Sequence, residues 1–395
     1  MPLDYLSVKR QIQAQAANAP EELQRIAKLR ARAADLLTTN AEKSAELRAK
    51  VEQAVTQDSF LRVAKPVSEA LNSTHPVPAP PESATLIAAD GSQINPSRHD
   101  PVNYFLVNVG AIEMQSGSSA APTTHTRSNL RVFEYSASGS FSEEQIGLER
   151  DKSERVLLAE LAASAQARPV ITLTDGPLEL WGGRARDTEE QSHFIDSLDE
   201  YLGALTQLQL LGAATAGYVD KPRADLVVRL MEVAATPQES LPDIRKQRPL
   251  RGVTDWALFA PLLGPGERSA IFAIQSQLAD RYAGPLALHF FYLNVGTAKA
   301  AWLARVEIPL WVVEDPALLN ALHGALVQQA NIMGNLSYPY VLHRAHELAV
   351  VTREEREQVT QMLVTELRSK GVDVGQASFK QAAKDLPARS TRRKS

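Results

Sequence analysis

Leu86-Ile87-Ala88-Ala89-Asp90-Gly91-Ser92 decides how this chain is read. Four apolar residues lead into one carboxylate, and the glycine behind it allows a tight turn that other residues resist. The expectation is a buried strand that stops at Asp90. A second copy of the pattern lies downstream in Pro169-Val170-Ile171-Thr172-Leu173-Thr174-Asp175-Gly176-Pro177. Again an apolar, β-branched run ends in Asp-Gly. One such pair of residues is an ordinary turn signal. Two of them at the ends of neighbouring strands would face a common pocket, and paired acidic oxygens suit a hard divalent metal.

The pattern around these strands supplies a topology. After Leu86–Asp90, strands are expected over Val102–Met114 and Asn129–Tyr135, with a Ser/Gly/Ala/Thr-rich loop over Gln115–Thr126 between them. A helical period follows over Ser142–Ala167, carried by Ile146, Leu148, Val156, Leu157, Leu161 and Ala165. Val170–Asp175 is the fourth strand, Glu189–Leu211 a helix, Ala213–Val219 the fifth strand and Arg223–Val233 a further helix. Three strands can form an antiparallel meander, and the later ones return by helical crossovers. The fold class expected is therefore α/β with a ribonuclease H-like core, a mixed sheet, and N- and C-terminal helical extensions. In that fold the carboxylates of the first and fourth strands lie side by side, and a third acid often comes from the first helix. On Ser142–Ala167 the candidates are Glu143, Glu144, Glu149, Asp151, Glu154 and Glu160. The helix runs back from the carboxylate edge, so an acid in its N-terminal half is better placed. Glu154 meets that condition, and Glu160 is the reserve.

Outside the core, Asn18-Ala19-Pro20-Glu21-Glu22 looks like a helix start. Leu23, Ile26, Ala33, Leu36, Leu47, Val51 and Ala54 then predict a long amphipathic helix with a break near Thr38-Thr39-Asn40. Ser73–Pro81 is Pro-rich and stiff, which places a boundary there. The organisation expected is a helical segment over 1–72, a linker over 73–84, a catalytic domain over 85–352, a helix over 353–372 and a basic tail over 373–395. The tail carries Lys380, Lys384, Arg389, Arg392, Arg393 and Lys394. In the second half, Ala287–Asn294 reads as a buried strand and Leu303–Val313 as its partner. Asp315-Pro316 opens a helix through Ala330, and Tyr338-Pro339 leads into another that carries His343 and His346.

Composition narrows the classes. The chain has 395 residues, a net charge of −4 and no cysteine. Disulfides, cysteine nucleophiles and thiolate metal sites are excluded. The N-terminal residues lack a basic region followed by an apolar core, and no apolar run is long enough to span a bilayer. A cytoplasmic protein with no membrane partner is expected. The mild acidity does not exclude nucleic acid, because a local basic groove can sit on an acidic protein. His343 and His346 invite a zinc reading, but their spacing is not that of the helical zinc-protease motif.

Four features together resemble the NurA nuclease family: Ala89-Asp90-Gly91-Ser92, Thr174-Asp175-Gly176-Pro177, Arg305-Val306-Glu307-Ile308-Pro309, and Tyr338-Pro339-Tyr340 followed by Ala345-His346. The resemblance covers roughly Leu86–Thr352. It implies metal ligation by Asp90, Asp175 and Glu154, and functional roles for Tyr338 and His346, whose separation of eight positions matches the family. It implies a manganese- or magnesium-dependent deoxyribonuclease with two ions per site. Such an enzyme would act on single strands from the 5′ end and internally. It would be a homodimer that works with a hexameric HerA-like ATPase in processing DNA double-strand breaks. Pro177 stands where many relatives carry serine. Lys221, just after the fifth strand, is a candidate phosphate ligand.

Two other readings compete. One is a phosphotransfer or ATP-hydrolysing enzyme of the actin and sugar-kinase type, which shares the core. No glycine-rich adenosine motif appears in the second half to support it. The other is a non-catalytic adaptor of a DNA translocase, against which the intact acidic set argues.

Overall fold

The computed structural model describes residues 3–97, 99–132, 142–182, 188–372 and 374. The basic tail and residues Phe133–Tyr135 of the expected third strand lie outside the described residues. In chain order the elements are α1 (Tyr5–Ala17), α2 (Ala19–Thr39), α3 (Ser44–Gln57), β1 (Val63–Pro66), β2 (Thr74–His75), β3 (Ala84–Ile94), β4 (Tyr104–Ser116) and β5 (Thr123–Val132). Then come α4 (Glu143–Ser164), β6 (Val170–Asp175), α5 (Thr188–Leu210), β7 (Ala214–Asp220), α6 (Leu226–Ala235), α7 (Asp255–Phe259), β8 (Arg268–Ser269) and β9 (Phe272–Gln275). The last are β10 (Leu288–Asn294), β11 (Leu303–Pro309), α8 (Leu310–Val313), α9 (Pro316–Ile332), α10 (Tyr340–Ala349) and α11 (Arg353–Ser369). They divide into two compact units.

The unit that carries the two Asp-Gly segments comprises Pro81–Asp175, Glu179–Thr215 and Pro339–Ser395. Its strands follow the order β5-β4-β3-β6, with β7 next to β6. The first three pair antiparallel, and β3 pairs parallel with β6. Thr172 and Thr215 share a hydroxyl hydrogen bond of 2.8 Å that ties β6 to the start of β7. This is the strand order of a ribonuclease H-like core, with α4 as the crossover between β5 and β6. A reciprocal capping box between Ser142 and Gln145 starts α4, which supplies on the order of 1 kcal/mol. Ile146, Leu148, Leu157 and Leu158 of α4 are buried, each stabilising the unit by about 1.5–3 kcal/mol.

Three expectations are corrected here. β3 does not stop at Asp90 but runs on to Ile94, because its ladder with β4 continues through Gly91↔Val109 to Ile94↔Leu106. β5 begins at Thr123, inside the segment expected as loop, because Thr123–Thr126 pair with Gly110–Glu113. Of Leu303–Val313, only Leu303–Pro309 is strand. Pro309 ends the ladder with β10 and opens the short helix α8.

The other unit comprises Met1–Pro80, Gly176–Leu178 and Ala216–Tyr338. Here β1-β9-β10-β11 pair antiparallel in that order, and β11 pairs with Gly217–Asp220 of β7. Every residue of β10 is buried. Phe259 stacks on Tyr292, and Phe272 on Phe290, with centroids 4.9 and 5.6 Å apart. The carboxylate of Asp255 closes the N-terminus of α6 by accepting from the Val227 and Val228 amides at 3.0 and 2.8 Å. It also accepts from the Tyr292 hydroxyl at 2.7 Å. The segment expected to be one broken helix is α2 and α3, separated at Asn40–Lys43, and the Pro-rich segment contributes β2, which pairs with β8. No described helix is long and apolar enough to cross a membrane.

Candidate active site

The parallel register of β3 and β6 ends at Ala89↔Thr174. The next residue on each strand is the carboxylate, so Asp90 and Asp175 occupy matching positions on neighbouring strands and face the same side of the sheet. Asp90 is largely buried, and Asp175 is exposed at the strand end. The Asp90 carboxylate accepts from its own neighbour, the Gly91 amide, at 2.8 Å, and from His346 Nδ1 at 2.7 Å.

Gly91 is not the turn that the Asp-Gly pair suggests. It sits inside the β3–β4 ladder. A Cβ there would lie 2.5 Å from Arg150 Cγ and 2.7 Å from Glu154 Oε1. The glycine lets the Arg150 and Glu154 side chains of α4 lie directly on the strand; it does not serve a bend of the chain. Gly176, by contrast, does take the left-handed conformation of a turn, at φ +102°.

The same close approach brings Glu154 down onto the strand that carries Asp90. Glu154 is buried, and its carboxyl is held well above the usual range, first by loss of water and then by the negative charges of Asp151 and Asp90. Asp151 is also pushed up, mainly by burial. Arg150 lies among these acids, with Nε 3.0 Å from Asp151 Oδ1 and 3.7 Å from Glu154 Oε1. Arg155 is buried beneath them. It donates to the Thr174 hydroxyl at 2.8 Å, and its guanidinium lies 5.4 Å from the centre of the Tyr201 ring. Glu160, the reserve candidate, lies elsewhere: it is half exposed and pairs with Arg127 of β5.

His346 reaches Asp90 because α10 is fastened to β3 and β4 at its C-terminal end. Ser92 Oγ donates to the Ala349 carbonyl at 2.5 Å and accepts from the Val351 amide at 3.2 Å. Asn108 Nδ2 donates to the same carbonyl at 2.8 Å. The helix lies so near β4 that a Cβ on Gly110 would stand 2.6 Å from the Ala349 nitrogen. His343 has a different partner, Glu347, at 3.6 Å.

Tyr338 and Lys221 belong to the other unit. The Tyr338 ring meets Tyr218 edge-on at 5.5 Å. Lys221 adopts a positive φ of 43°, and its ammonium lies 3.9 Å above the Trp302 ring. Sequence reading did not single out Arg150 or Arg155. The i, i+4 spacing of Arg150 and Glu154 was the available signal for the first. A buried arginine has no periodic signature.

Among the described residues, no three His, Asp or Glu side chains converge closely enough to hold a metal ion as they stand. The Asp90 carboxylate is turned to His346, and Glu154 faces Arg150. The donor set nonetheless fits a hard divalent cation. It is all oxygen, and it keeps a buried carboxyl beside two further acids, an arrangement a cation would relieve.

The sequence matches the NurA domain family model over residues 84–351, from the first residue of β3 to just past α10. The chain belongs to the NurA domain family. This family is one of nucleases. Among solved structures, the NurA nuclease from Sulfolobus solfataricus is 13% identical with a TM-score of 0.49, covering 91% of this chain and 98% of that one. A NurA structure bound to dAMP and manganese is 12% identical with a TM-score of 0.39, covering 74% and 90%. Endonuclease V of Ciona intestinalis, in complex with an inosine-containing DNA, is 11% identical with a TM-score of 0.31, covering 78% and 96%. Among curated proteins none matches the sequence.

Proposed function

We propose that this NurA-family chain is a divalent-metal-dependent deoxyribonuclease whose metal ligands are Asp90, Asp175 and Glu154. The observation that carries the proposal is the coincidence, in one compact unit, of two strand carboxylates in matching register with a buried glutamate resting against Gly91. Bound manganese or magnesium, as two ions, would activate water and stabilise the leaving 3′ oxygen. The protein's own groups do the rest. The three acids hold the cations, and Arg155 offsets their mutual repulsion from beneath. His346 Nδ1 donates to Asp90, which leaves Nε2 to exchange a proton or to hold a phosphate oxygen. Tyr338 is assigned to the reaction through the family resemblance, and Lys221 to the DNA backbone by its charge after β7. Contacts to phosphate would make the enzyme indifferent to sequence.

The finer reading follows the family: attack on single strands from the 5′ end and internally, in a cytoplasmic homodimer. That dimer would process double-strand breaks alongside a HerA-like hexameric ATPase. Support for a separate motor comes from the sequence, which contains no Gly-x-x-x-x-Gly-Lys-[Ser/Thr] loop. The test is incubation with 5′- and 3′-labelled single-stranded DNA, with and without manganese. Short 5′ products appearing first, only with metal, are expected. Hydrolysis of ATP without DNA cleavage would favour the kinase-type alternative.

A further inference from the structure

Arg150 stands where a cation belongs. Its guanidinium donates twice to Asp151, at 3.0 and 2.7 Å, and its Nε lies 3.7 Å from Glu154. Its aliphatic stem crosses Gly91, next to Asp90, so closely that any Cβ on that residue would collide with it. The head is about one-third exposed, so it can leave without unpacking α4. Arg155 differs in each respect: it is buried, fixed to Thr174 and backed by Tyr201.

We propose that Arg150 is a built-in counter-cation of the acid cluster, which divalent metal displaces and which then binds a DNA phosphate beside the site. Without metal, the charges of Asp90, Asp151 and Glu154 crowd one another, and the guanidinium offsets them by binding Asp151 and lying near Glu154. When a divalent ion arrives, the arginine and the ion compete for Glu154, the one assigned ligand that the guanidinium pairs with. The released guanidinium, already about one-third exposed, sits on a long stem beside Asp90 and Glu154. A planar, always-charged fork is suited to phosphate oxygens. Metal binding and DNA binding are thereby coupled through one side chain. The proposal rests on the metal assignment made above.

The test uses the full-length protein and Mn²⁺ alone in isothermal titration calorimetry, followed by steady-state cleavage of a labelled single strand. Arg150→Met keeps the stem across Gly91 and removes the charge; Arg150→Lys keeps the charge. Arg150→Met is expected to bind Mn²⁺ about tenfold more tightly than wild type, since a competing positive charge is gone. Its KM for DNA is expected to rise about tenfold, for want of a phosphate contact. Arg150→Lys should lie near wild type in both. A purely structural arginine would weaken both or neither, so the opposite signs are diagnostic. Equal or weaker Mn²⁺ binding by Arg150→Met, or an unchanged KM, overturns the proposal while wild-type binding upholds the metal assignment. Absence of saturable Mn²⁺ binding by wild type overturns that assignment as well. Should Arg150→Met fail to fold, as judged by circular dichroism, Arg150→Gln decides by the same two readouts. Tighter Mn²⁺ binding with a raised KM upholds the account, and shifts of any other sign, or none, contradict it.

Discussion

Asp90 and His346 are separated by 256 positions in the chain, yet their side chains share a hydrogen bond of 2.7 Å. A histidine that meets a site carboxylate can act on the reaction, whereas His343 is engaged with Glu347 on its own helix. His346→Ala is therefore expected to lower kcat by about 100-fold, the lower end for proton transfer, and His343→Ala to change it little. Comparable losses in the two variants would remove the distinction. The acids divide in the same way. Glu154→Gln should reduce cleavage by about 100-fold or more, while Glu160→Gln loses only an exposed pair with Arg127. Single-turnover cleavage under matched manganese measures both. The nearness of Glu154 to the Asp90 strand was legible in the sequence, because a helix running back from the carboxylate edge brings its N-terminal half there. The close contact at Gly91 was not, since it is made by Arg150 and Glu154, which lie about sixty positions away in the chain. A dipeptide carries no trace of a helix that will cross it.

At the scale of elements, the placing of α10 decides whether His346 reaches Asp90. Gly110→Ala would insert a methyl group against the Ala349 nitrogen and push that helix off β4. A loss of about 1–3 kcal/mol in stability is expected, together with a fall in kcat, measured by chemical denaturation and kinetics. A loss of stability without a fall in kcat would show that α10 does not position the histidine. In the other unit, two buried groups give an opposed response to pH. Burial raises Asp255 to about 6, so between about pH 4 and 6 the native state holds a proton that the unfolded chain has lost, and stability falls as pH rises. Burial lowers His323 to about 4, so over a similar range the unfolded chain holds the extra proton and stability rises with pH. The two offset one another. Asp255→Asn removes the first alone, so its stability relative to wild type should improve by about 2 kcal/mol between pH 4 and pH 7. A difference that stays constant across that range would contradict the assignment. Element boundaries were legible where chemistry marks them. β6 runs from just after Pro169 to just before Gly176, as expected. The far end of β3 was not legible, because only pairing with β4 keeps it extended past Asp90.

At the scale of the molecule, the ribonuclease H-like order could be read from the alternation of strands and helices, because a crossover helix has a period that a strand lacks. The division into two units could not. Gly176–Leu178 and Ala216–Tyr338 join the N-terminal segment in one unit, and no local pattern announces such a return of the chain. The family match from residue 84 to 351 spans parts of both. For the assembly, a dimeric mass by light scattering at micromolar concentration is expected, and a monomer would count against the dimer proposed above. The central claim is that Asp90 and Asp175 are held in register to bind metal for DNA cleavage. Its most direct test is Mn²⁺-dependent cleavage of a labelled single strand by wild type, Asp90→Asn and Asp175→Asn, each with folding checked by circular dichroism. Cleavage by wild type only with metal, and a loss of about 100-fold or more in both variants, is the predicted result. Undiminished cleavage by either folded variant would contradict the account.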